Sequence, residues 1–308
     1  LFKILVAPAS YKGSIPAHRL AGAIASVCLG ARPELDHIYG GVDVLEAPIA
    51  DGGDDTLASL HAAIGGQYQY KEVIGPVGKR VAAAYLILDR GRTKLAEIAP
   101  AQQFISEYAV DTAQLKVPND QKVLIDLKVS NDLMAIIELA SASGIAYLTK
   151  EELDPLQAHT YGTGQLIEDA IAGGAKSIIL ALGGSASTDG GTGALSAMGA
   201  KFLDSYGQPV ALGGGGLASI ASVDLLQLRS LVEGVDFIVA TDVTSPLLGP
   251  LGAASIFAPQ KGADMRQIAL LDTGLEHLAS ILAAQFGREK IELLKHAPGS
   301  GAAGGAAF

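Results

Sequence analysis

The chain has 308 residues, 49% of them hydrophobic and 18% charged, which supplies a large core and excludes a disordered polyelectrolyte. A formal net charge of −10 excludes the broad basic face that nucleic acids and anionic membranes need, so a small-molecule ligand is the partner expected. The one cysteine, Cys28, permits no intrachain disulfide and fits a reducing, cytoplasmic setting, and no apolar run approaches the length of a membrane span.

Phe2 to Ala7 reads as a buried strand, Pro8 to Ser14 as a loop, and Ala17 to Leu29 as a helix entered through Pro16. Val42 to Pro48 is a second apolar strand, and after the polar loop from Ala50 to Thr56 a helix is predicted over Leu57 to Ile64. This alternation predicts an α/β fold. Near Gln67 the texture shortens: Tyr70 to Ile74 and Val81 to Leu88, separated by Gly75-Pro76-Val77-Gly78, predict a hairpin and a domain boundary. From Ala99 to Asn131 only Lys122 to Leu127 reads as strand. Helices are predicted at Leu133 to Ser141 and Thr163 to Ala172, and strands at Lys176 to Leu182 and Asp236 to Thr241. The last helices fall at Asp264 to Phe286 and Lys290 to Lys295. The glycine-rich, apolar stretch Pro298 to Phe308 lacks the polarity of a solvated tail and reads as a loop cut in mid-structure, in preference to a packed turn.

The most informative segment is Leu182 to Gly193 (LGGSASTDGGTG), placed between the strand-like Ser177 to Ala181 and the helical Ala194 to Met198. Glycines lack a Cβ, so their N–H groups can approach an anion, and a following helix N-terminus adds partial positive charge. A phosphate or carboxylate is therefore expected at Gly183, Gly184, Ser185, Ser187, Gly190 and Gly191; the alternative is a tight strand-to-helix turn with no ligand. The segment matches neither a Walker A loop nor a Rossmann fingerprint.

Three further loops also follow strand-like runs, the side of an open α/β sheet where ligands collect. Ser10-Tyr11-Lys12-Gly13-Ser14 offers Lys12 to neutralise a phosphate, unless it is a solvated lysine. In Asp51-Gly52-Gly53-Asp54-Asp55 the carboxylates repel one another unless a cation or a helix N-terminus compensates. That suits Asp51 to Mg²⁺ binding or proton abstraction, while Asp54 or Asp55 can cap the next helix. Asp189, inside the glycine loop, invites the same choice between metal, proton acceptor and helix cap. Asp242 ends the last strand and Lys261 follows in Phe257 to Ala263; the two can pair with each other or serve the site from its margin. The histidines show no metal-ligand spacing, and no Gly-x-Ser-x-Gly elbow is present.

Together these loops resemble the bacterial glycerate kinase family, the two-domain class that includes the glycerate 2-kinases. The matching segments are Lys3 to Ser14 (KILVAPASYKGS), Pro48 to Thr56 (PIADGGDDT), Ile137 to Gly144 (IELASASG), Tyr161 to Leu166 (YGTGQL), the glycine loop, Ala240 to Pro250 (ATDVTSPLLGP) and Phe257 to Ala263 (FAPQKGA). The resemblance implies ATP-dependent, Mg²⁺-assisted phosphorylation of D-glycerate to 2-phosphoglycerate, on a Rossmann-like domain joined to a second α/β domain. Residues 1–66 and about 287–308 would belong to the first domain and 67–286, with the glycine loop, to the second. In that scheme Gly183 to Gly193 cradles the ATP phosphates, Asp51 or Asp189 takes the hydroxyl proton or holds Mg²⁺, and Lys12 neutralises phosphate or the substrate carboxylate. Ser10, Asp54, Asp242 and Lys261 stand behind them, and a homodimer is an assembly the reading allows. The chain departs from the family pattern at Ala9, where an acid is usual, at Thr188 and Ser245, where asparagines are usual, and at Ala258, where a glycine is usual. The span 99–133 reads as an insertion, and family members continue past the Gly301 to Gly305 segment with another acidic glycine loop. A binding protein without turnover and a Mg²⁺-dependent phosphatase are the alternative functions.

Overall fold

The computed structural model describes residues 2–6, 15, 17–31, 33, 42–46, 55–89 and 132–308. Ala9, Ser10, Lys12, Asp51 and Asp54, the strand expected at Lys122 to Leu127 and nearly all of the insertion-like span lie outside the described residues. Strands β1 (Phe2–Val6) and β2 (Val42–Glu46) pair in parallel, and helix α1 (Ala17–Gly30) connects them in sequence.

The central sheet has the strand order β3 (Gln67–Ile74), β4 (Arg80–Asp89), β5 (Leu133–Glu138), β6 (Ala175–Ala181) and β9 (Asp236–Ala240). The hairpin β3/β4 and the pair β4/β5 are antiparallel, whereas β5, β6 and β9 run parallel. Gly75 and Gly78 turn the hairpin as the sequence predicts, Gly75 N–H donating to the Lys79 carbonyl at 2.6 Å.

Leu133 to Ser141 corrects the sequence reading. It is not a helix but strand β5 followed by the short helix α3 (Ala140–Ser143). An unbroken apolar run carries no period by which to separate strand from helix, and a central parallel strand covered on both faces needs such a run. Its residues alternate between two cores. Ala135 and Ile137 join Val73, Tyr85, Ile178 and Leu166 under helix α4 (Tyr161–Ala172), while Met134 and Ile136 join Leu86, Leu88 and Leu57 under helix α2 (Thr56–Ile64). Each fully buried leucine or isoleucine there contributes roughly 1.5–3 kcal/mol of transfer free energy. Thus α2, at the end of the stretch 1–66, packs on the five-stranded sheet.

Helix α5 (Thr192–Ala197) leaves the glycine loop and crosses α4 where Gly164 faces Ala194. The small hairpin β7 (Lys201–Leu203) and β8 (Ser222–Asp224) packs Phe202 and Val223 with Leu275 and Leu278 of the long helix α8 (Met265–Phe286). Asp264 is the N-cap of α8, not its first turn: its Oδ1 accepts from Arg266 and Gln267 N–H at 2.8 Å, and Gln267 returns a bond to Asp264 N–H. Helix α9 (Arg288–His296) follows.

The stretch Pro298 to Phe308 is packed, the second of its two readings, with Ala302 1% exposed, Gly301 N–H bonded to the Ser245 carbonyl and the Gly304 carbonyl accepting from Gly190 N–H at 3.0 Å. Its small residues are what let this backbone lie against the glycine loop: a Cβ at Gly304 would stand 2.3 Å from the Ser187 carbonyl.

Candidate functional site

The parallel strands β5, β6 and β9 end side by side, with Glu138 opposite Ala181 and Ala181 opposite Ala240. Three chemistry-bearing segments therefore leave one sheet edge together: Glu138 to Ile145, Leu182 to Gly193, and Thr241 onward. The first two are laced to each other. Leu139 N–H donates to the Ala181 carbonyl, Ile145 N–H to the Gly184 carbonyl and Ala186 N–H to the Ser143 carbonyl, at 2.8–3.0 Å.

Within the glycine loop Gly190 and Gly191 have φ of 58° and 74°, the left-handed region that residues with a Cβ enter at a cost. This bend folds the Asp189 carboxylate back into its own loop. Asp189 Oδ2 accepts from Thr160 N–H (2.9 Å), Thr160 Oγ1 (2.8 Å) and Gly193 N–H (3.1 Å), and Oδ1 accepts from Gly191 N–H (3.2 Å). The carboxylate is fully buried. A bare carboxylate there would carry a large desolvation penalty, which these four donors offset. A Cβ on Gly193 would lie 2.9 Å from Asp189 Oδ2 and from Thr160 N, so only glycine lets the amide reach the carboxylate.

Lys261 lies in the same interior, 1% exposed. It does not pair with Asp242, which is exposed; its Nζ donates to Ser185 Oγ at 2.8 Å and to the Ser187 carbonyl. Burial pushes its ammonium down to about 7, with the Asp189 charge acting in the opposite direction. Burial likewise lowers His159, opposed by Asp189. The Ser187 and Thr188 hydroxyls are fully buried and find no hydrogen-bond partner among the described residues. Buried hydroxyls without a partner are uncommon.

These bonds divide the loop. The N–H groups of Gly190, Gly191 and Gly193 are spent on Gly304 and Asp189. Gly183 and Gly184 are instead half-buried at the end of β6, where their N–H groups have no such partners among the described residues. The part of the loop best placed to receive an anion is therefore its start, and the part richest in predicted ligands is its internal frame.

Two residues were given no role by sequence reasoning. Thr160 contributes both donors that fix Asp189 Oδ2 from outside the loop; a threonine beside Tyr161-Gly162-Thr163-Gly164 gave no period or charge to mark it. Glu138, 8% exposed, accepts from Leu57 N–H at the start of α2 at 2.5 Å. Asp55 occupies the N-cap position of that helix with φ 73° and its side chain makes no capping bond, while Asp54, the other cap candidate, lies outside the described residues. The signal was present as the lone charge closing an apolar run, Leu133 to Ala140. Ala258, a departure from the family pattern, has ordinary helical φ of −70° and packs with Ala254 and Leu271, so a methyl group fits there.

Among the described residues no cluster of three or more His, Cys, Asp or Glu side chains is placed to hold a metal ion, and no helix is long and apolar enough to cross a membrane.

The model of the Glycerate kinase family matches residues 4–104 and 102–308. The chain is 35% identical over 303 residues to a protein of Escherichia coli K12 named glycerate 2-kinase, and 33% identical to a glycerate kinase of Bacillus subtilis 168. In each case 98% of this chain is aligned, spanning 66% of the relative's length, somewhat under two thirds. A crystal structure from Salmonella typhimurium LT2, described as that of a candidate glycerate kinase 2, superposes with a TM-score of 0.72 at 34% identity, covering 99% of this chain and 68% of the other.

Proposed function

The chain belongs to the glycerate kinase family, and from that premise we propose that it transfers the γ-phosphoryl group of ATP to a hydroxyl of D-glycerate, giving 2-phosphoglycerate. The observation that carries this reading is the glycine loop at the carboxyl edge of β5, β6 and β9, braced from within by Asp189 and Lys261 so that Gly183 and Gly184 lead outward. Phosphoryl transfer asks a protein mainly for positioning and charge neutralisation, and a loop whose amides are held without mobile side chains meets that demand.

The residues present fit ATP phosphates, since the loop start offers N–H groups and the Ser187 and Thr188 hydroxyls, without a partner among the described residues, follow it in the chain. Gly183 and Gly184 would face the phosphates, with Ser185 and Ser187 behind them and Gly190 and Gly191 shaping the turn. Mg²⁺, when bound, supplies charge neutralisation at the transferred group. Asp51 suits its coordination or the uptake of the glycerate hydroxyl proton better than Asp189, whose oxygens are engaged by four donors. Lys12 would neutralise phosphate or the glycerate carboxylate. Ser10, Asp54 and the exposed Asp242 would line the margin, and Lys261 would brace the loop from inside.

The test is ADP formation with Mg·ATP in the presence and absence of D-glycerate, with the phosphorylated position read by ³¹P and ¹H NMR. Glycerate-dependent ADP with phosphate on the 2-hydroxyl is the expected result. Nucleotide uptake without ADP would replace the kinase by a binding protein, and phosphate release from phosphoglycerate without nucleotide would replace it by a phosphatase.

A further inference from the structure

The first turn of α4 is fixed on the sheet before it meets the glycine loop. Ile74 N–H, at the end of β3, donates to Gln165 Oε1 at 2.8 Å, and a Cβ on Gly162 would stand 2.2 Å from the Ile74 carbonyl oxygen, so strand and helix touch through bare backbone. From that base two threonines, Thr160 and Thr163, stand one helical turn apart, at 0% and 1% exposed.

Thr160 occupies the N-cap of α4, where a threonine hydroxyl ordinarily accepts from an amide of its own helix. It makes no such bond. Its Oγ1 donates instead to Asp189 Oδ2 at 2.8 Å and accepts from Ala194 N–H, in the first turn of α5, at 2.9 Å. One hydroxyl thus joins the carboxylate that bends the loop to the helix that leaves it, and a methyl group in its place would strip a bond from each. Thr163 works on the other half. Its Oγ1 lies 2.9 Å from Ser143 Oγ, and the Ser143 carbonyl accepts from Ala186 N–H at 3.0 Å, two residues after Gly184. The two threonines therefore reach opposite halves of the loop from a turn that belongs to neither.

We propose that the first turn of α4 is a two-point clamp on the glycine loop, with Thr160 and Thr163 as positioning residues whose hydroxyls hold the loop at the curvature that presents Gly183 and Gly184 to a nucleotide. Its effect on nucleotide affinity rests on the kinase reading, whereas the clamp itself rests on the bonds just given.

The 308-residue protein is to be compared with Thr160→Val, Thr160→Ser and Thr163→Val by amide hydrogen exchange in NMR spectra, by calorimetry with Mg·ATP and by turnover with D-glycerate. Valine keeps the shape of threonine and removes the hydroxyl, while serine keeps the hydroxyl. Thr160→Val is expected to speed exchange at Ala194 about tenfold or more, with Ala186 and β6 still protected, and to weaken Mg·ATP binding about tenfold, while the KM for D-glycerate moves less than about twofold. Thr163→Val should give the converse pattern, with Ala186 released, Ala194 protected and a smaller loss of affinity, about threefold. Thr160→Ser should match the parent within about twofold in both exchange and binding. A general loss of stability would instead speed exchange throughout β6 and lower the active fraction without changing the dissociation constant, and that pattern would overturn the proposal. So would parental Mg·ATP affinity in a Thr160→Val protein whose Ala194 exchanges freely, or a Thr160→Ser protein as impaired as the valine variant. If Thr160→Val does not fold, the other two variants decide: Thr160→Ser must bind as the parent does, Thr163→Val must release Ala186 and weaken binding, and failure of either overturns the clamp. A parent that makes no glycerate-dependent ADP sinks the kinase reading, whereas Ala194 and Ala186 still protected in their respective valine variants sink the clamp whatever the turnover.

Discussion

At Lys261 two effects compete, and their balance is measurable. Removing an ammonium from water favours the neutral amine, whereas the Asp189 carboxylate favours the cation; burial is the larger, so the group falls from 10.5 in the free side chain to about 7. The linkage sign follows. Between about pH 7 and 10.5 the unfolded chain holds a proton that the folded chain has released, so stability rises with pH across that window. Below about 7 both states are protonated and the burial penalty is felt in full. Urea unfolding from pH 7 to 10 is therefore expected to give a free energy that climbs more steeply in the parent than in Lys261→Met, which has no proton to lose. Parallel pH profiles for the two proteins would mean that Lys261 keeps an ordinary lysine titration. Asp189 gives the complementary lesson about residue type: a carboxylate among glycines reads in sequence as a ligand for something outside, and in the fold it is a ligand for the loop itself.

Between elements, the approach of α4 to α5 carries the loop. A Cβ on Gly164 would sit 2.2 Å from the Ala194 carbonyl oxygen, a backbone atom that moves only if α5 moves. Gly164→Ala is accordingly expected to cost about 1–3 kcal/mol in urea unfolding, the usual range for overpacking a close contact. Because α5 continues directly from the glycine loop, Mg·ATP binding by calorimetry should weaken as well; unchanged affinity and stability would show that the crossing has slack. The sequence made this pair legible in part. The glycines of Tyr161 to Leu166 and the helical pattern over Thr163 to Ala172 were visible, as were β6 and β9 through their short apolar runs before polar loops. Strand β5 was not, because burial on both faces erases the alternation that would identify it. For the same reason Glu138, visible only as part of the family segment Ile137 to Gly144, was given no role: a residue assigned to a helix interior does not stand at the end of a strand beside the cradle. What the glycine-rich stretch from Pro298 packs against was not legible, because composition describes a segment by itself, while its packing depends on the bare backbone of Gly190 and Gly191 elsewhere in the chain.

Across the whole molecule, what local reading could not reach is measured by sequence separation. Thr160 and Asp189 lie 29 residues apart, and Glu138 and Leu57 lie 81 apart, and only the sheet topology brings either pair together. Net charge is the one whole-molecule property the sequence states outright, and at −10 it has a kinetic consequence under the proposed activity, because Mg·ATP and glycerate are both anions. The fixed N–H dipoles at Gly183 and Gly184 act within a few ångströms, while the excess negative charge acts out to a Debye length, about 30 Å at 0.01 M salt and about 8 Å at 0.15 M. At low salt the approaching nucleotide therefore meets the repulsion before it meets the cradle. Raising ionic strength over that range should increase kcat/KM for Mg·ATP and leave kcat unchanged, because the bound complex is governed by the short-range contacts. Initial rates at fixed free Mg²⁺ and varied potassium chloride would test this, and a kcat/KM that falls with salt would mean that positive potential at the cradle mouth extends far enough to outweigh the charge of the rest of the chain.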